Sequence, residues 1–502
     1  MSIATFEALE KELREIHDID SALSLLQWDM QCGMPVAASD QRASQIETMS
    51  VLLHGRKTSD RVGKLIEENA DIEASSSHDS YEASLVRRAR RDYELDSRVP
   101  TELQGRISQA QAEGFGIWRE ARAASDFSAF LPSLEKQIGL AKEYIACFDP
   151  TDSPYDVLLD RFEEGATVQD VDRVFEVLGP KLTQLTRAVA GNLDRVDDGM
   201  LQGIFPRDAQ IKLSQDITAE LGATEVAWRV VETVHPFQQS FGTNDIRLAT
   251  RYDEDFFSTS FYGTIHEFGH GLYEAQIDPS LNRTPLCSGV SMTLHESQSR
   301  LMENLVGRGR PFIGYAWPQI RAAFPDKFDA FGPEDFYRAV NKMQPSLIRV
   351  EADELTYGLH IILRYELERE LFEGRLQAAD LPEAWNARMK EYLGVDVPND
   401  AMGVLQDVHW SEGLFGYFPD YLLGTVLSVQ IWEKMRGDNP DLDEQISNGD
   451  LSALRAWLGA NIHYSGSKFT PKETIERAVG GPLDPAPYLR YLEAKIADLY
   501  GI

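Results

Sequence analysis

His266 and His270 stand four residues apart with Glu267 beside the first, in the pentapeptide HEFGH. On a helix four residues advance about one turn and roughly 6 Å, so two imidazoles at this spacing reach one ion from the same face. Imidazole and carboxylate donors suit Zn²⁺, which in catalytic sites keeps a fourth position open for water. A carboxylate at 267 cannot easily join both histidines as a ligand. It can instead take the proton of an attacking water and return it to a leaving amine. These residue types at this spacing point to metal-assisted hydrolysis of a peptide bond. The competing reading is a pair of histidines satisfied in a core or on a surface, because HExxH also arises by chance in long chains.

The flanking residues say what must position the motif. Phe261, Ile265, Phe268 and Leu272 recur at steps of four, three and four, which predicts a helix over 258–277 with the histidines on a face beside the apolar one. Gly269 and Gly271 each cost a helix about 1 kcal/mol relative to Ala, which predicts close packing against another element. A third protein ligand is also required. Glu274 lies about 6 Å beyond His270 along the axis and is rotated away from the pair, so it is rejected as a ligand. The next predicted helix, over 294–305, carries Glu296 and Glu303 seven residues apart and hence on one face. Glu296 follows His266 by 296 − 266 = 30 residues, room for a helix end, the Pro279 to Pro285 loop and a return. Spacing favours Glu296 only slightly and leaves both open, and either could be a solvated helix carboxylate.

Helical periodicity runs from the first residues, through Phe6, Leu9, Leu13 and Ile16 and on through Ala22, Leu25 and Leu26. Strand candidates are few: 246–249 first, then 290–292. Breaks fall at Pro35, Ser75 to Ser80, Pro150 to Pro154, Pro206, Pro279 to Pro285 and Pro398 to Asp400. No long linker or internal repeat interrupts the chain. The expected fold is mainly α, one large helical body over 1–502 with few short strands. Two lobes facing a deep cleft fit the length, with no visible dividing point.

Of the 502 residues, 43% are hydrophobic and 26% charged, enough apolar mass for a large core rather than disorder. The formal charge of −32 repels nucleic acid and anionic membranes, so neither is an expected partner. Cys32, Cys147 and Cys287 are far apart and form no CxxC pair, which argues against a disulfide framework. The N-terminus has no basic stretch followed by an apolar run, so it does not read as a signal peptide. Leu422 to Trp432 is too short to cross a bilayer and is interrupted by Gly424, Thr425, Ser428 and Gln430. The expected location is the cytoplasm.

Further motifs follow one another along nearly the whole chain: Trp28-Asp29 with Pro35, Pro154-Tyr-Asp156, His235-Pro-Phe237, Asp245-Ile-Arg247, HEFGH, His295-Glu-Ser-Gln298, Arg349-Val-Glu-Ala-Asp353, Gly403-Val-Leu-Gln406 running into Asp407-Val-His-Trp410, and Gly416-Tyr-Phe-Pro-Asp-Tyr-Leu-Leu-Gly424. Each is weak alone, but the ordered set resembles the Taq-type thermostable carboxypeptidases. The resemblance implies a mostly helical fold with a deep cleft, a homodimer, and removal of single residues from free peptide C-termini with one divalent metal ion, zinc first, cobalt or manganese next. It places the metal on His266, His270 and Glu296, with Glu267 as base. One departure is visible. Where the family pattern DxRxT has its threonine, this chain has Ala249, with Thr250 one place late.

An exopeptidase acting at C-termini must bind a carboxylate, for which a guanidinium offers paired donors in a planar fork. Arg349 is the first candidate and Arg247 the second, each of which could equally form an internal ion pair. The developing charge on the scissile carbonyl needs neutral donors, and His409 and Tyr417 are favoured over Tyr421, which is assigned to substrate binding. Plain packing is the competing role for the aromatics between Trp410 and Tyr421. His235 would line the cleft, or serve only as a turn residue before Pro236. The rival functions are an HExxH oligopeptide endopeptidase and a helical scaffold with a structural metal.

Overall fold

The structure, a computed structural model, describes residues 3–233 and 236–502. The expected helical architecture is what these residues form. Six helices and three strands matter to the site: α1 (Ile3–Cys32), α2 (Val168–Ala190), β1 (Trp228–Glu232), β2 (Phe237–Ser240), β3 (Ile246–Thr250), α3 (Phe257–Ala275), α4 (Met292–Arg300), α5 (Tyr357–Phe372) and α6 (Phe418–Asp438).

Apolar side chains sort the chain into a main body and an N-terminal layer. One continuous core runs from Trp118 to Tyr500 and includes α2, α3, α5 and α6. Leu9, Leu13 and Ile16 of α1 pack with Leu65, Ile66, Leu85 and Val86 in a second cluster, which meets the body at Ile277, Leu281 and Leu286. The predicted stripe on α1 is therefore the face that makes this layer. α6 contains the apolar run near the C-terminus. Leu422, Val426, Leu427, Val429 and Ile431 are all buried, so the helix is apolar around its girth because it threads the core. Among the described residues no helix is long and apolar enough to cross a membrane.

The three strands form one small sheet in the order β1-β3-β2, with β1 parallel and β2 antiparallel to the central β3. The expected strand at 246–249 is β3. The expected strand at 290–292 is not formed, because the Ser291 hydroxyl accepts a hydrogen bond from the Leu294 amide and starts α4. Alternation along β3 also settles the misplaced threonine. Thr250 lies on the strand face opposite Arg247 and Ala249, and its hydroxyl accepts from Thr264 on α3. It cannot stand in for a hydroxyl at 249.

α3 is wedged between the sheet and α4, and its glycines make that possible. A Cβ on Gly269 would come within 2.5 Å of the Gln298 carbonyl oxygen and 2.6 Å of Ser299 Cα. One on Gly271 would strike the Trp228 ring at 2.6 Å and Ile246 at 2.8 Å. The close packing predicted from the two glycines is thus present on both flanks, against α4 on one and against β1 and β3 on the other.

Candidate metal centre and active site

The apolar stripe fixes the rotation of α3. Phe261, Ile265, Phe268 and Leu272 are buried, Phe268 stacking on Trp228 with ring centroids 5.1 Å apart, and the adjoining face turns His266 and His270 toward α4. There Glu296 Oε2 lies 3.6 Å from His266 Nε2 and 3.5 Å from His270 Nε2. Donors each about 2.0–2.1 Å from a tetrahedral zinc ion stand roughly 3.3–3.4 Å apart, so these atoms already have a separation one ion would bridge. Two imidazoles and one carboxylate also match zinc in type. Among the described residues this is the one group of three or more His, Cys, Asp or Glu with such geometry. Both imidazoles keep about a sixth of their surface exposed, 17% and 18%, so the cluster opens to solvent.

The carboxylates left open by spacing have different places. A π-helical turn, Leu301–Gly307, follows α4 and displaces Glu303 from the face carrying Glu296. Glu296 therefore meets the His266 ring at Nε2, whereas Glu303 Oε2 meets it at Nδ1, 3.0 Å away. With Nδ1 donating to Glu303, Nε2 of His266 is left with its lone pair toward Glu296. Arg300, half-buried with 16% of its side chain exposed, ties the two acids together, with Nε 2.6 Å from Glu296 Oε1 and Nη1 3.2 Å from Glu303 Oε2. One oxygen of Glu296 is thereby occupied and Oε2 faces the histidines. Burial alone would raise the Glu296 carboxyl, but Arg300 and His266 outweigh it and hold it well below the usual range. Burial keeps His270 neutral, lowering it to about 3, which suits a ligand.

Glu267 is 6% exposed and has no hydrogen-bond partner among the described residues. Its burial pushes the carboxyl up to about 7, against the pull of His266. A dication beside it would draw that value down again and favour the carboxylate. The group is therefore poised to accept a proton, with no protein donor competing for it.

The other candidates divide. His409 is buried, with Nε2 3.1 Å from the Tyr421 hydroxyl and Nδ1 without a partner among the described residues, and its ring lies 5.8 Å from that of Tyr417. Burial lowers His409 to about 3, so it is a neutral imidazole. The charge of Glu296 acts on both Tyr417 and Tyr421, which places the two phenols in the field of the metal cluster. Arg349 forms the internal ion pair weighed against its binding role: Nη2 is 2.8 Å from Asp407 Oδ1, and Nη1 is 3.4 Å from the Tyr357 hydroxyl. Arg364, on α5, takes the other oxygen of Asp407 at 2.5 Å. Two guanidiniums share one carboxylate, so the buried group carries one net positive charge. Arg247 is held by both oxygens of Asp245 at 2.8 Å and lies between the rings of Trp28 and Phe241, 4.6 and 4.7 Å from their centroids. It joins α1 to the sheet. His235 lies outside the described residues.

Sequence reasoning missed Arg300, Arg364 and the part played by Glu303. A signal existed for Arg300, which follows Glu296 by four residues, the spacing of a helical ion pair. No local pattern links Arg364 to Asp407, 43 residues further on.

A sequence model of the family described as carboxypeptidase Taq (M32) metallopeptidase matches residues 8–496. Carboxypeptidase 1 of Bacillus subtilis is 38% identical over 504 residues, spanning 100% of both chains. Thermostable carboxypeptidase 1 of Thermus thermophilus is 38% identical over 507 residues, spanning 99% of each. The crystal structure of an M32 carboxypeptidase from Deinococcus radiodurans superposes with a TM-score of 0.95 at 37% identity, over 99% of this chain and 100% of that one.

Proposed function

The chain belongs to the carboxypeptidase Taq (M32) metallopeptidase family and is a metal-dependent carboxypeptidase, and from that premise we propose that it removes single residues from free peptide C-termini with Glu267 as base. His266, His270 and Glu296 hold the divalent ion, with zinc the ion best matched to their donor types. The observation that carries this reading is the set of 3.5 and 3.6 Å separations about Glu296 Oε2, with a buried Glu267, unpartnered among the described residues, between the two histidines in sequence.

When bound, the ion supplies Lewis acidity that makes water a nucleophile near neutral pH. Glu267 takes the proton of that water and passes it to the departing amine. His409 and Tyr417 face the developing charge as neutral donors, and Tyr421, hydrogen-bonded to His409, holds the imidazole in place. Arg349 is the group for the terminal carboxylate. Its pairing with Asp407 does not oppose that role, since Arg364 shares the same acid and one positive charge remains uncompensated. Arg247, held between two rings and Asp245, shapes the wall of the site. We also propose a homodimer, the assembly that the resemblance of the sequence motifs implies. The free cysteines Cys32, Cys147 and Cys287 support a reducing compartment, the cytoplasm.

The rival endopeptidase reading makes a different prediction about chain ends. Paired peptides differing only in a free or amidated C-terminus should be cleaved unequally, the amidated one at background rate, when release of amino acid is followed by mass. Equal cleavage would overturn the C-terminal assignment.

A further inference from the structure

Glu274 sits one helical turn beyond His270, too far along α3 to reach the ion, yet it is 7% exposed and three donors converge on it. His295 Nε2 is 2.9 Å from Oε1, the Gly289 amide donates to Oε1 at 2.8 Å, and the Ser240 hydroxyl donates to Oε2 at 3.2 Å. His295, on α4, in turn places Nδ1 2.6 Å from Nδ1 of His270, with ring centroids 4.7 Å apart and ring planes 34° apart. The loop closes tightly over this chain of groups. A Cβ on Gly289 would come within 2.6 Å of the His295 ring and 3.3 Å of Glu274 Oε1.

Hydrogen-bond direction along the chain is determined at its anionic end. A carboxylate only accepts, so His295 Nε2 carries the hydrogen that faces Glu274. A neutral imidazole has one N–H, so His295 Nδ1 must then accept, and His270 Nδ1 must donate to it. His270 Nε2 is left as a bare lone pair, 3.5 Å from Glu296 Oε2. We propose that Glu274 and His295 are positioning residues that set the tautomer and ring plane of His270, doing through a relay what Glu303 does for His266 by direct contact. The inference rests on His266, His270 and Glu296 being the metal ligands. It gives a role to a carboxylate that geometry excludes as a ligand, and it ties the metal to β2 through Ser240 and to the 277–291 loop through Gly289.

The test is a zinc titration of the metal-free, full-length chain in competition with a chromophoric chelator. His295→Phe is expected to raise the zinc Kd about 10–100-fold, the usual cost of losing an outer partner of a metal-bound histidine, with one site retained. Glu274→Gln should shift Kd in the same direction. The double variant should be no weaker than His295→Phe alone, because Glu274 acts through His295. A His295→Phe Kd within twofold of the parent, or losses that multiply in the double variant, would overturn the relay. Melting curves of the metal-free proteins report on folding. If His295→Phe does not fold, Glu274→Gln, which keeps the side-chain shape, decides alone, and a parental Kd there overturns the proposal. His266→Ala separates the two levels of the argument. Zinc lost in that variant but retained at parental affinity in the other two means that only the relay is wrong. Zinc retained at parental affinity in His266→Ala means that the ligand assignment beneath it fails.

Discussion

Replacing Glu267 with Gln is expected to lower kcat by about 10²–10⁴-fold, the range supplied by a positioned general base, while zinc content stays at the parental level. The substitution keeps the size of the side chain and removes only its ability to accept a proton. None of the atoms in the ligand cluster belongs to residue 267. The carboxyl is buried with no protein donor attached among the described residues, so its replacement breaks no side-chain hydrogen bond among them. A loss confined to the transition state lowers kcat and kcat/KM together and leaves KM near its starting value. Steady-state kinetics alongside metal analysis reads both quantities. Parental kcat in a zinc-loaded Glu267→Gln protein would assign the proton transfer to another group.

The second large effect belongs to Glu296. Glu296→Ala is expected to weaken zinc binding by more than the roughly 10–100-fold that an outer partner costs, and to reduce hydrolysis to background at micromolar zinc. The fold should tolerate the change better than loss of most buried ion pairs, which costs about 3–5 kcal/mol when one charge is stranded. Arg300 is not stranded, because Glu303 Oε2 remains 3.2 Å from its Nη1. Glu303→Gln is the informative contrast. It leaves all three donors in place and removes only the carboxylate behind His266, so it should show the smaller, outer-partner loss. Competition with a chelator measures both. Stoichiometric zinc and parental turnover in Glu296→Ala, with both lost in Glu303→Gln, would exchange the roles of the two acids.

What could be read from sequence follows from how local each feature is. The stripe Phe261, Ile265, Phe268, Leu272 has the period of a helix, and it fixed the rotation that presents His266 and His270. The cost of Gly269 and Gly271 was equally local, and it correctly implied neighbours too close for a Cβ. Features made by distant segments were not legible in this way. Spacing could not separate Glu296 from Glu303, because the π-helical turn after Arg300 changes which face Glu303 occupies. β1 and β2 are five and four residues long and mostly half-buried, so they lack the clear alternation that marks a strand. The stretch 290–292 has the pattern of a strand, but Ser291 caps α4 through a contact with Leu294 that the pattern does not contain. Arg349 carried no sign of Asp407, 58 residues away, or of the second guanidinium that shares it. Likewise the pairing of Glu274 with His295 joins two helices across a loop, and nothing in either segment alone announces it.

The claim that this chain shortens peptides from the C-terminus with a metal held by His266, His270 and Glu296 is tested most directly by a time course of one unblocked peptide. Its products are followed by mass, with and without a chelator. The expected record is a ladder of single-residue losses from the C-terminus, abolished by the chelator and restored by added zinc. A ladder from the N-terminus, cleavage at internal bonds, or a C-terminal ladder indifferent to the chelator would contradict it.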